Sequence, residues 1–280
     1  MRDLTKAQSR LYENAMAIQQ ETARDAKAIK FMARSMVLAT LPHSDPGQIP
    51  AWGRHNGGYS LVIQPGYELD SAGVPTSLGI PYGTVPRLIL CWLTSEAVQK
   101  KQREIELGSS LSDFMRKLDI IPTGGSFGSI PRVKKQMVRL FSSQISCTYN
   151  TEAEFARTSF ALADKTYIWW DAAKNPEQVS LWKSAILLSQ DFFDEITRSP
   201  VPIDMRALKA LKGSSLQLDI YTWLTYRLSF LGKPIVIPWN QLQAQFGADY
   251  AETKVFAYKF KAALKHVLTV YKHANVTPMS

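Results

Sequence analysis

The fold is decided by residues 124–141, which read GGSFGSIPRVKKQMVRLF. Three glycines in five residues indicate a turn, and the segment that follows predicts a helix over 130–142. At 100° per residue, apolar and basic residues fall on opposite sides of this helix. The apolar side comprises Ile130, Val133, Met137, Leu140 and Phe141, and the polar side comprises Arg132, Lys135, Arg139 and Ser142, with Lys134 at its edge. One side can anchor the helix while the other meets phosphates and base edges.

Two further helices are predicted ahead of this turn. The first is expected over 87–101, directly after Pro86, a residue well placed in a first turn. The second begins after Ser110, a good N-cap residue, and carries the acidic Asp113 in its first turn. Apolar alternation around 144–149 and around 165–170 predicts an antiparallel pair of strands after the basic helix. Helix, helix, glycine-bearing turn, basic helix and hairpin is the order of a winged helix-turn-helix.

The second half of the chain repeats this order of elements without repeating the sequence. Segment 185–193 is compatible with strand or helix, and strand is favoured at its end. Prolines fence a short predicted strand over 233–238, and Gly247 is expected to stop a helix. Helices are expected over 205–211, 215–230, 240–246 and 251–272. The second half therefore predicts a second helix-turn-helix unit.

The last of these helices also has a basic face. Its core side comprises Phe256, Phe260, Ala263, Leu264, Val267 and Tyr271. Its opposite side comprises Lys254, Tyr258, Lys261, Lys265 and Lys272. The chain ends eight residues after Lys272, so a second wing is either absent or belongs to a longer form of the protein. The polar faces of the two basic helices supply the ten candidate DNA-binding residues.

The N-terminal region has a different character. Residues 3–36 lack Gly and Pro and predict one long, mostly polar helix, whereas 41–58 predicts a loop and 59–63 a strand. The expected fold class is α+β, mainly α, with two winged helix-turn-helix domains in tandem preceded by a long N-terminal helix. The expected division is a helical arm and loop at 1–50, a first winged-helix domain at 51–175, and a second, with or without its wing, at 176–280.

The charge distribution favours a polyanionic partner. The 280 residues carry a net charge of +9, which fits nucleic acid, an acidic membrane surface, or a basic protein with no anionic partner. Residues 129–142 hold four bases and no acid, and residues 254–280 hold five bases and no acid. Ordinary surface helices intersperse Glu with Lys, because pairs four residues apart stabilise them. Two acid-free basic faces therefore favour double-stranded DNA over the other two interpretations.

Several classes of chemistry lack their sequence signals. The pair Gly232-Lys233 is followed by Pro234 and not by Ser or Thr, so no phosphate-binding loop of the ATPase type is present. The four histidines and the two cysteines, Cys91 and Cys147, show no metal-ligand spacing. No stretch approaches the about 18 apolar residues of a spanning helix. We expect a cytoplasmic, non-enzymatic protein without cofactor or metal and without a membrane partner. An enzyme acting on DNA, such as a recombinase or relaxase, is the alternative.

The stretch 86–141 resembles the RepA-type, iteron-binding replication initiator family of bacterial plasmids. The residues that carry the resemblance are PRLILCWLTSEAV at 86–98, EIELGSSLSDFMR at 104–116, TGG at 123–125 and RVKKQMVRLF at 132–141. One departure is the close of the second helix, which reads Leu118-Asp119 here and usually Leu-Gly in the family.

The resemblance implies a sequence-specific DNA-binding protein that recognises repeated sites at a plasmid origin, often with two winged-helix domains. It further implies recruitment of the host replication initiator and helicase machinery, with repression of its own gene as an additional activity. A homodimer and a monomer both stay open as the active form. The alternative within the same DNA chemistry is a transcriptional repressor without a role in replication.

Overall fold

The computed structural model describes residues 5–151, 155–167, 184–247 and 250–279. Within these ranges the chain is mixed α/β, with more helix than strand. The helices are α1 Lys6–Gln20, α2 Arg34–Leu38, α3 Thr84–Lys100, α4 Leu111–Lys117, α5 Ser129–Ser142, α6 Gln190–Arg198, α7 Met205–Leu211, α8 Ser215–Leu228, α9 Trp239–Phe246 and α10 Thr253–Val270. The strands are β1 Ile29–Met32, β2 Trp52–Asn56, β3 Tyr59–Gln64, β4 Tyr67–Leu69, β5 Pro75–Ser77, β6 Glu104–Gly108, β7 Gln144–Asn150, β8 Phe155–Ala161, β9 Ala163–Tyr167, β10 Ser184–Leu188 and β11 Val201–Asp204.

Helix α3 lies at the centre of the core. Its first three turns are apolar on nearly every side, and every residue from Val85 to Ser95 is buried. A helix that is hydrophobic all round must be covered on all sides. Helices α5, α6 and α8 and strands β1 and β6 pack around it. The helix expected over 87–101 is thereby confirmed, and it forms the hub on which the basic helix α5 rests.

The segment that contains α4 and α5 follows the sequence expectation closely. Helix α4 begins where Ser110 accepts a hydrogen bond from the Asp113 amide at 3.1 Å, and α5 spans the stretch predicted from its polar and apolar sides. Between α3 and α4 lies β6, a strand that the sequence pattern did not predict. β6 pairs with β10, which pairs in turn with β9.

The strand pairing predicted after the basic helix is wrong. β7 pairs with β8, with Ile145 opposite Phe160, and not with the segment around 165–170. Residues 165–167 belong to β9 and pair with β10, whereas residues 168–170 lie outside the described residues. β8 escaped prediction because residues 155–159 are exposed on both faces of an edge strand and show no apolar alternation.

The long helix predicted over 3–36 is also wrong. Helix α1 ends at Gln20, and the chain then turns through Lys27, whose φ of 50° lies in the left-handed region. β1 pairs antiparallel with β11, and the Phe31 amide donates to Ser95 Oγ on α3 at 2.8 Å. Helix propensity is a local preference, and these tertiary bonds with burial of Met32 override it.

The strand expected over 59–63 is confirmed as β3, the central neighbour of β2 and β7 in the four-stranded sheet β2–β3–β7–β8. β2 lies inside the segment expected to be a loop. Strands β4 and β5 form a separate, exposed hairpin. Gly66 at its base packs so closely on Ser142 that a Cβ there would collide with the Ser142 side chain and carbonyl.

In the second half, helices α7, α8, α9 and α10 confirm the four predicted helices. The order within 185–193 is the reverse of the one favoured, since strand β10 comes first and helix α6 follows. Residues 233–238 do not form a strand, because none of the segments that the structure describes pairs with them. The structure does not confirm two tandem winged-helix domains. β1 pairs with β11 and β6 with β10, so strand pairs join all three expected regions, whose boundaries stay a prediction.

Candidate nucleic-acid interface

Helix α5 presents a basic surface that is free of acidic residues. Arg132, Lys134 and Lys135 in its first two turns are exposed, as is Ser142 at its last residue. The first turn contains no acid, so the positive end of the helix dipole adds to these charges. We call Arg132, Lys134, Lys135 and Ser142 the α5 basic face.

The opposite side of α5 anchors it against α3 and α4. Val133 and Leu140 are fully buried, and Ile130, Met137 and Phe141 are nearly so. Gln136 is also buried, and its Oε1 accepts a hydrogen bond from the Tyr82 amide at 2.9 Å. The predicted apolar side is thereby confirmed, and the basic face is held on a fixed support.

Arg139 does not belong to the basic face, and its predicted place on the polar side is wrong. Its side chain is only 6% exposed and lies over the Tyr82 ring, 5.2 Å from the ring centroid. The guanidinium donates to the Ile80 carbonyl at 3.1 Å and pairs with Asp45 at 3.3 Å. Gly79, at φ +84°, allows the backbone to approach this guanidinium closely. The Arg139 side chain therefore connects α5 to the loops that precede α3, and it is not available to contact a nucleobase.

The Asp45 carboxylate that pairs with Arg139 is stabilised in its charged form. Partial burial works against that form, but the Gly47 amide and the Arg139 guanidinium outweigh it and lower the pKa of Asp45. Burial, followed by the negative charge of Asp45, raises the pKa of the Tyr82 hydroxyl. The arrangement is that of a structural ion pair and does not supply a titrating group near neutral pH.

The turn that leads into α5 is closed by reciprocal hydrogen bonds. The Thr123 amide donates to Ser129 Oγ, and the Ser129 amide donates to Thr123 Oγ1, both at 2.9 Å. Ser129 Oγ also donates to the Ile121 carbonyl at 2.6 Å. Gly128 at the N-cap is tightly confined, since a Cβ there would collide with the Thr123 carbonyl oxygen. The glycine-bearing turn is therefore a built loop that fixes where α5 begins.

Helix α4 ends in a Schellman motif at the position of the Leu118-Asp119 departure. The Ile120 amide donates to the Met115 carbonyl, and the Asp119 amide donates to the Arg116 carbonyl, both at 2.9 Å. Asp119 has a φ of 58°, the left-handed conformation that glycine adopts without strain. Its carboxylate pairs with Lys212 just after α7, which gives this aspartate a structural role that glycine could not supply.

Helix α10 carries the second group of predicted residues. Lys254, Tyr258 and Lys265 are exposed. Lys261 is partly buried, with its ammonium 5.2 Å from the centroid of the Trp239 ring. Lys272 lies beyond the end of the helix and donates to Gln19 Oε1 on α1 at 2.8 Å.

The apolar side of α10 is anchored by aromatic residues. Phe256 and Phe260 are buried and pack with each other and with Trp239 on α9. Whereas α5 packs on α3 and α4, α10 packs on α1, α7, α8 and α9. The ten predicted residues are therefore carried in two groups by helices with different neighbours, and they do not form one cluster.

The β7–β8 hairpin carries an exposed base that the sequence pattern did not single out. Arg157 lies on β8, opposite Thr148 on β7, and is exposed. Near the end of the hairpin, Tyr149 is 46% exposed and Phe155 is 69% exposed. The signal in the sequence is the position of Arg157 in β8, the second strand after the basic helix. The predicted pairing of 144–149 with 165–170 leaves β8, and Arg157 with it, outside the expected hairpin.

A buried ion network joins the two halves of the chain. The Arg87 guanidinium on α3 grips the Asp219 carboxylate on α8 through two hydrogen bonds of 2.7 Å, and both side chains are about 5% exposed. His43 Nε2 lies 2.8 Å from Asp219 Oδ2. Arg87 also donates to the carbonyls of Leu41, Pro42 and Gly83.

Burial and the facing charges determine the pKa values of Asp219 and His43 in this network. Burial alone would raise the pKa of Asp219, but the facing Arg87 and His43 lower it to about 2. Burial lowers the pKa of His43 in spite of the neighbouring carboxylate. The pair Arg87–Asp219 is charged at neutral pH, and it joins α3 to α8 inside the core.

Two further features of the described part of the chain concern clustered metal ligands and helices able to span a membrane. Among the residues that the structure describes, no three His, Cys, Asp or Glu side chains lie close enough together to hold a metal ion. Within the same ranges, no helix combines the length and apolar character required to cross a membrane. Cys91 and Cys147 are free thiols, and burial raises the pKa of each to about 12.

The order of elements defines a mixed α/β protein in which a glycine-bearing turn joins α4 to the basic helix α5. Residues 80–241, more than half of the chain, match the family described as "Plasmid encoded RepA protein". The chain belongs to this family of plasmid replication initiators, which confirms the resemblance found in residues 86–141. Membership supports a role in replication.

Among solved structures, the fold is similar to that of RctB domains 2 and 3. One such structure matches with a TM-score of 0.50 and 12% sequence identity, covering 82% of this chain and 82% of that chain. A selenomethionine derivative of the same domains matches with a TM-score of 0.49 and 12% identity, covering 80% of each chain. At this level of identity the similarity concerns the fold alone. No curated protein matches the chain in sequence.

Proposed function

We propose that the protein is a sequence-specific, double-stranded DNA-binding replication initiator that acts in the cytoplasm without catalytic activity and binds repeated sites at a plasmid origin. The observation that carries the proposal is the α5 basic face, a set of exposed bases without acid on a helix fixed by its opposite side. Family membership supports the role in replication, and the basic face supports the contact with DNA.

The chemistry of the contact follows from the residue types. The planar guanidinium of Arg132 can donate two hydrogen bonds to the O6 and N7 of a guanine in the major groove. Lys134 and Lys135 are compact charges suited to phosphate oxygens, and the hydroxyl of Ser142 can donate to a phosphate. Arg157 on the β7–β8 hairpin supplies a further cation on the element that follows α5. Arg132 would then read sequence, while the lysines would set the register on the duplex.

Helix α10 supplies a second contact in this proposal. Lys254 and Lys265 are free to reach phosphates, and the Tyr258 hydroxyl lies on the same exposed side. Lys261 and Lys272 already interact with Trp239 and Gln19, so they contribute less. Recruitment of host initiator and helicase proteins, and formation of a homodimer, complete the proposal, with family membership as their support.

The test is a binding titration with DNA taken from the replicon that carries the gene. Duplexes that contain its tandem repeats should bind at least about 10³-fold more tightly than scrambled duplexes at physiological salt. Lys134→Ala and Lys135→Ala should each reduce the slope of log K against log salt by about one unit. Arg132→Ala should instead relax the preference for one base pair while changing that slope less.

Lys233→Ala is the matched control, because this exposed lysine lies outside both basic helices. Its slope should equal that of the wild type. Equal affinity of the wild type for repeat and scrambled DNA would refute sequence-specific binding. Deletion of the gene separates replication from repression alone, since loss of plasmid maintenance is expected here and only raised transcription is expected of a repressor.

A further inference from the structure

The loop between α4 and α5 holds an aromatic side chain out in the solvent. Phe127, the residue before the N-cap of α5, has an exposed fraction of 104%, and Ile121 in the same loop is 80% exposed. A phenylalanine that stays fully exposed forgoes the favourable free energy that burial of its ring would contribute. Folding of the described chain gains nothing from this side chain, so its placement is explained better by contact with another molecule.

The loop presents Phe127 in a defined position. The reciprocal Thr123–Ser129 hydrogen bonds close the loop at its base, and the Gly128 amide donates to the Gly125 carbonyl at 3.0 Å across its tip. Gly125 has a φ of +80°, which an L side chain rarely adopts. A residue displayed by a closed loop loses little conformational entropy when it is captured, which suits an insertion role.

The surroundings of Phe127 are cationic. It stands at the positive end of α5, and Arg132, Lys134 and Lys135 follow in the first two turns. The two acids nearest in the sequence are already paired, Asp113 with Lys117 at 3.4 Å and Asp119 with Lys212. The exposed β4–β5 hairpin, with Tyr67 and Leu69, instead carries the acids Glu68 and Asp70. Charge complementarity therefore points to nucleic acid as the occupant at Phe127.

We propose that Phe127 is a wedge that inserts between neighbouring bases when α5 docks on DNA, with Ile121 packing against the sugar beside it. Apolar side chains that enter a base step unstack it and kink the duplex. The proposal rests on the DNA-binding function proposed above. It adds a specific activity to that function, local unstacking of the duplex at each bound site.

The experiment compares the wild type with Phe127→Ala and Phe127→Leu on duplexes from the parent replicon that contain its tandem repeats. Permanganate oxidises unstacked thymines, so, read on both strands, it reports distortion at every base step of the repeats that contains an A·T pair. The wild type should produce a hyperreactive thymine within each repeat. Phe127→Ala should lose this signal and bind about tenfold more weakly, as expected for the loss of one stacked base. Phe127→Leu should keep most of both, because an aliphatic side chain can still fill the step.

Three controls make the outcome decisive. Phe230→Ala removes another exposed aromatic, 59% exposed and outside the loop, and should change neither readout. Phe127→Ala should melt at the wild-type temperature, since its side chain has no packing partner to lose. Its salt slope should also stay at the wild-type value, because no cation is removed.

The wedge would be refuted if Phe127→Ala bound the repeats with wild-type affinity and kept the hyperreactive thymines. It would equally be refuted if the wild type bound the repeats specifically without any such thymine, a result that leaves the proposed function intact. Failure of the wild type to distinguish repeat from scrambled DNA would refute both. A change in sedimentation of Phe127→Ala in the absence of DNA would assign the loop to contacts between protein chains and would overturn the wedge.

Discussion

Replacement of Asp219 by alanine should destabilise the protein strongly, because it leaves the buried Arg87 guanidinium without a counter-charge. The Arg87 guanidinium would lose both of its 2.7 Å hydrogen bonds to the carboxylate while remaining about 5% exposed. Removal of one partner from a buried ion pair costs about 3–5 kcal/mol. For a chain of 280 residues, such a loss lowers the melting temperature by about 5–9 °C.

The pH dependence provides a second measure of the same interaction. The pKa of Asp219 is about 2 in the folded protein, against an ordinary value of 3.8. A lowered pKa means that the carboxylate contributes stability above its unfolded pKa and that this contribution is lost as the pH falls from about 4 to about 2. At about 1.4 kcal/mol per pKa unit, this contribution is about 2 kcal/mol. It is smaller than the cost of deletion, because a protonated Asp219 still fills its site and accepts hydrogen bonds from Arg87.

The assay is urea unfolding followed by tryptophan fluorescence at pH 7 and at pH 3. Asp219→Ala should lower the urea midpoint at both pH values. Asp219→Asn should lower the midpoint at pH 7, and the difference between its midpoint and that of the wild type should be smaller at pH 3. The double variant Arg87→Met with Asp219→Leu should recover part of the loss, since no buried charge remains. Recovery should be incomplete, because the carbonyls of Leu41, Pro42 and Gly83 lose their donor. A free energy of unfolding for Asp219→Ala within about 1 kcal/mol of the wild type at pH 7 would refute this account.

Two further predictions follow from side chains that stand where the sequence pattern suggested otherwise. Arg139→Ala should lower the free energy of unfolding, measured in urea, by about 2–3 kcal/mol. Its DNA affinity, measured at a temperature where the variant is folded, should stay close to that of the wild type. A loss of DNA affinity without a loss of stability would show instead that Arg139 contacts DNA. Asp119→Gly should unfold close to the wild-type temperature, because relief of the left-handed backbone strain offsets the lost ion pair with Lys212. Asp119→Ala loses the ion pair and keeps the strain, so calorimetry should show it to be about 1–2 kcal/mol less stable than Asp119→Gly. Equal melting of the two Asp119 variants would exclude backbone strain as the cause.

The elements that could be predicted are those whose cause is local. Helix α5 is predictable because apolar and basic residues divide cleanly around it, and the start of α4 is predictable because Ser110 is a good cap. Strand partners could not be found in this way. The packing of the whole fold determines that β7 pairs with β8 and that β9 pairs with β10. A strand exposed on both faces, such as most of β8, has no alternation of apolar and polar residues from which it could be predicted.

Arg139 shows the limit of a helical wheel for site prediction. A wheel assigns a residue to a side of the helix, but it does not show what packs against that side. The loops that contain Asp45 and Tyr82 are distant in sequence from α5 and cover its C-terminal part. Arg139, the last basic residue on the polar side of the helix, is therefore buried. Arg132, Lys134 and Lys135 remain exposed because they lie at the uncovered N-terminal end.

The two basic helices are connected through the core and not through a linker. Helix α5 packs on α3, α3 packs on α8, and α8 packs on α10, with the Arg87–Asp219 pair joining the two central members. The distance between the α5 basic face and the exposed bases of α10 is therefore set by packed helices. Packed cores resist continuous deformation, so a single duplex can meet both helices only if it presents contacts at that fixed spacing. Loosening α3 from α8 would uncouple the two contacts even though neither basic face is altered.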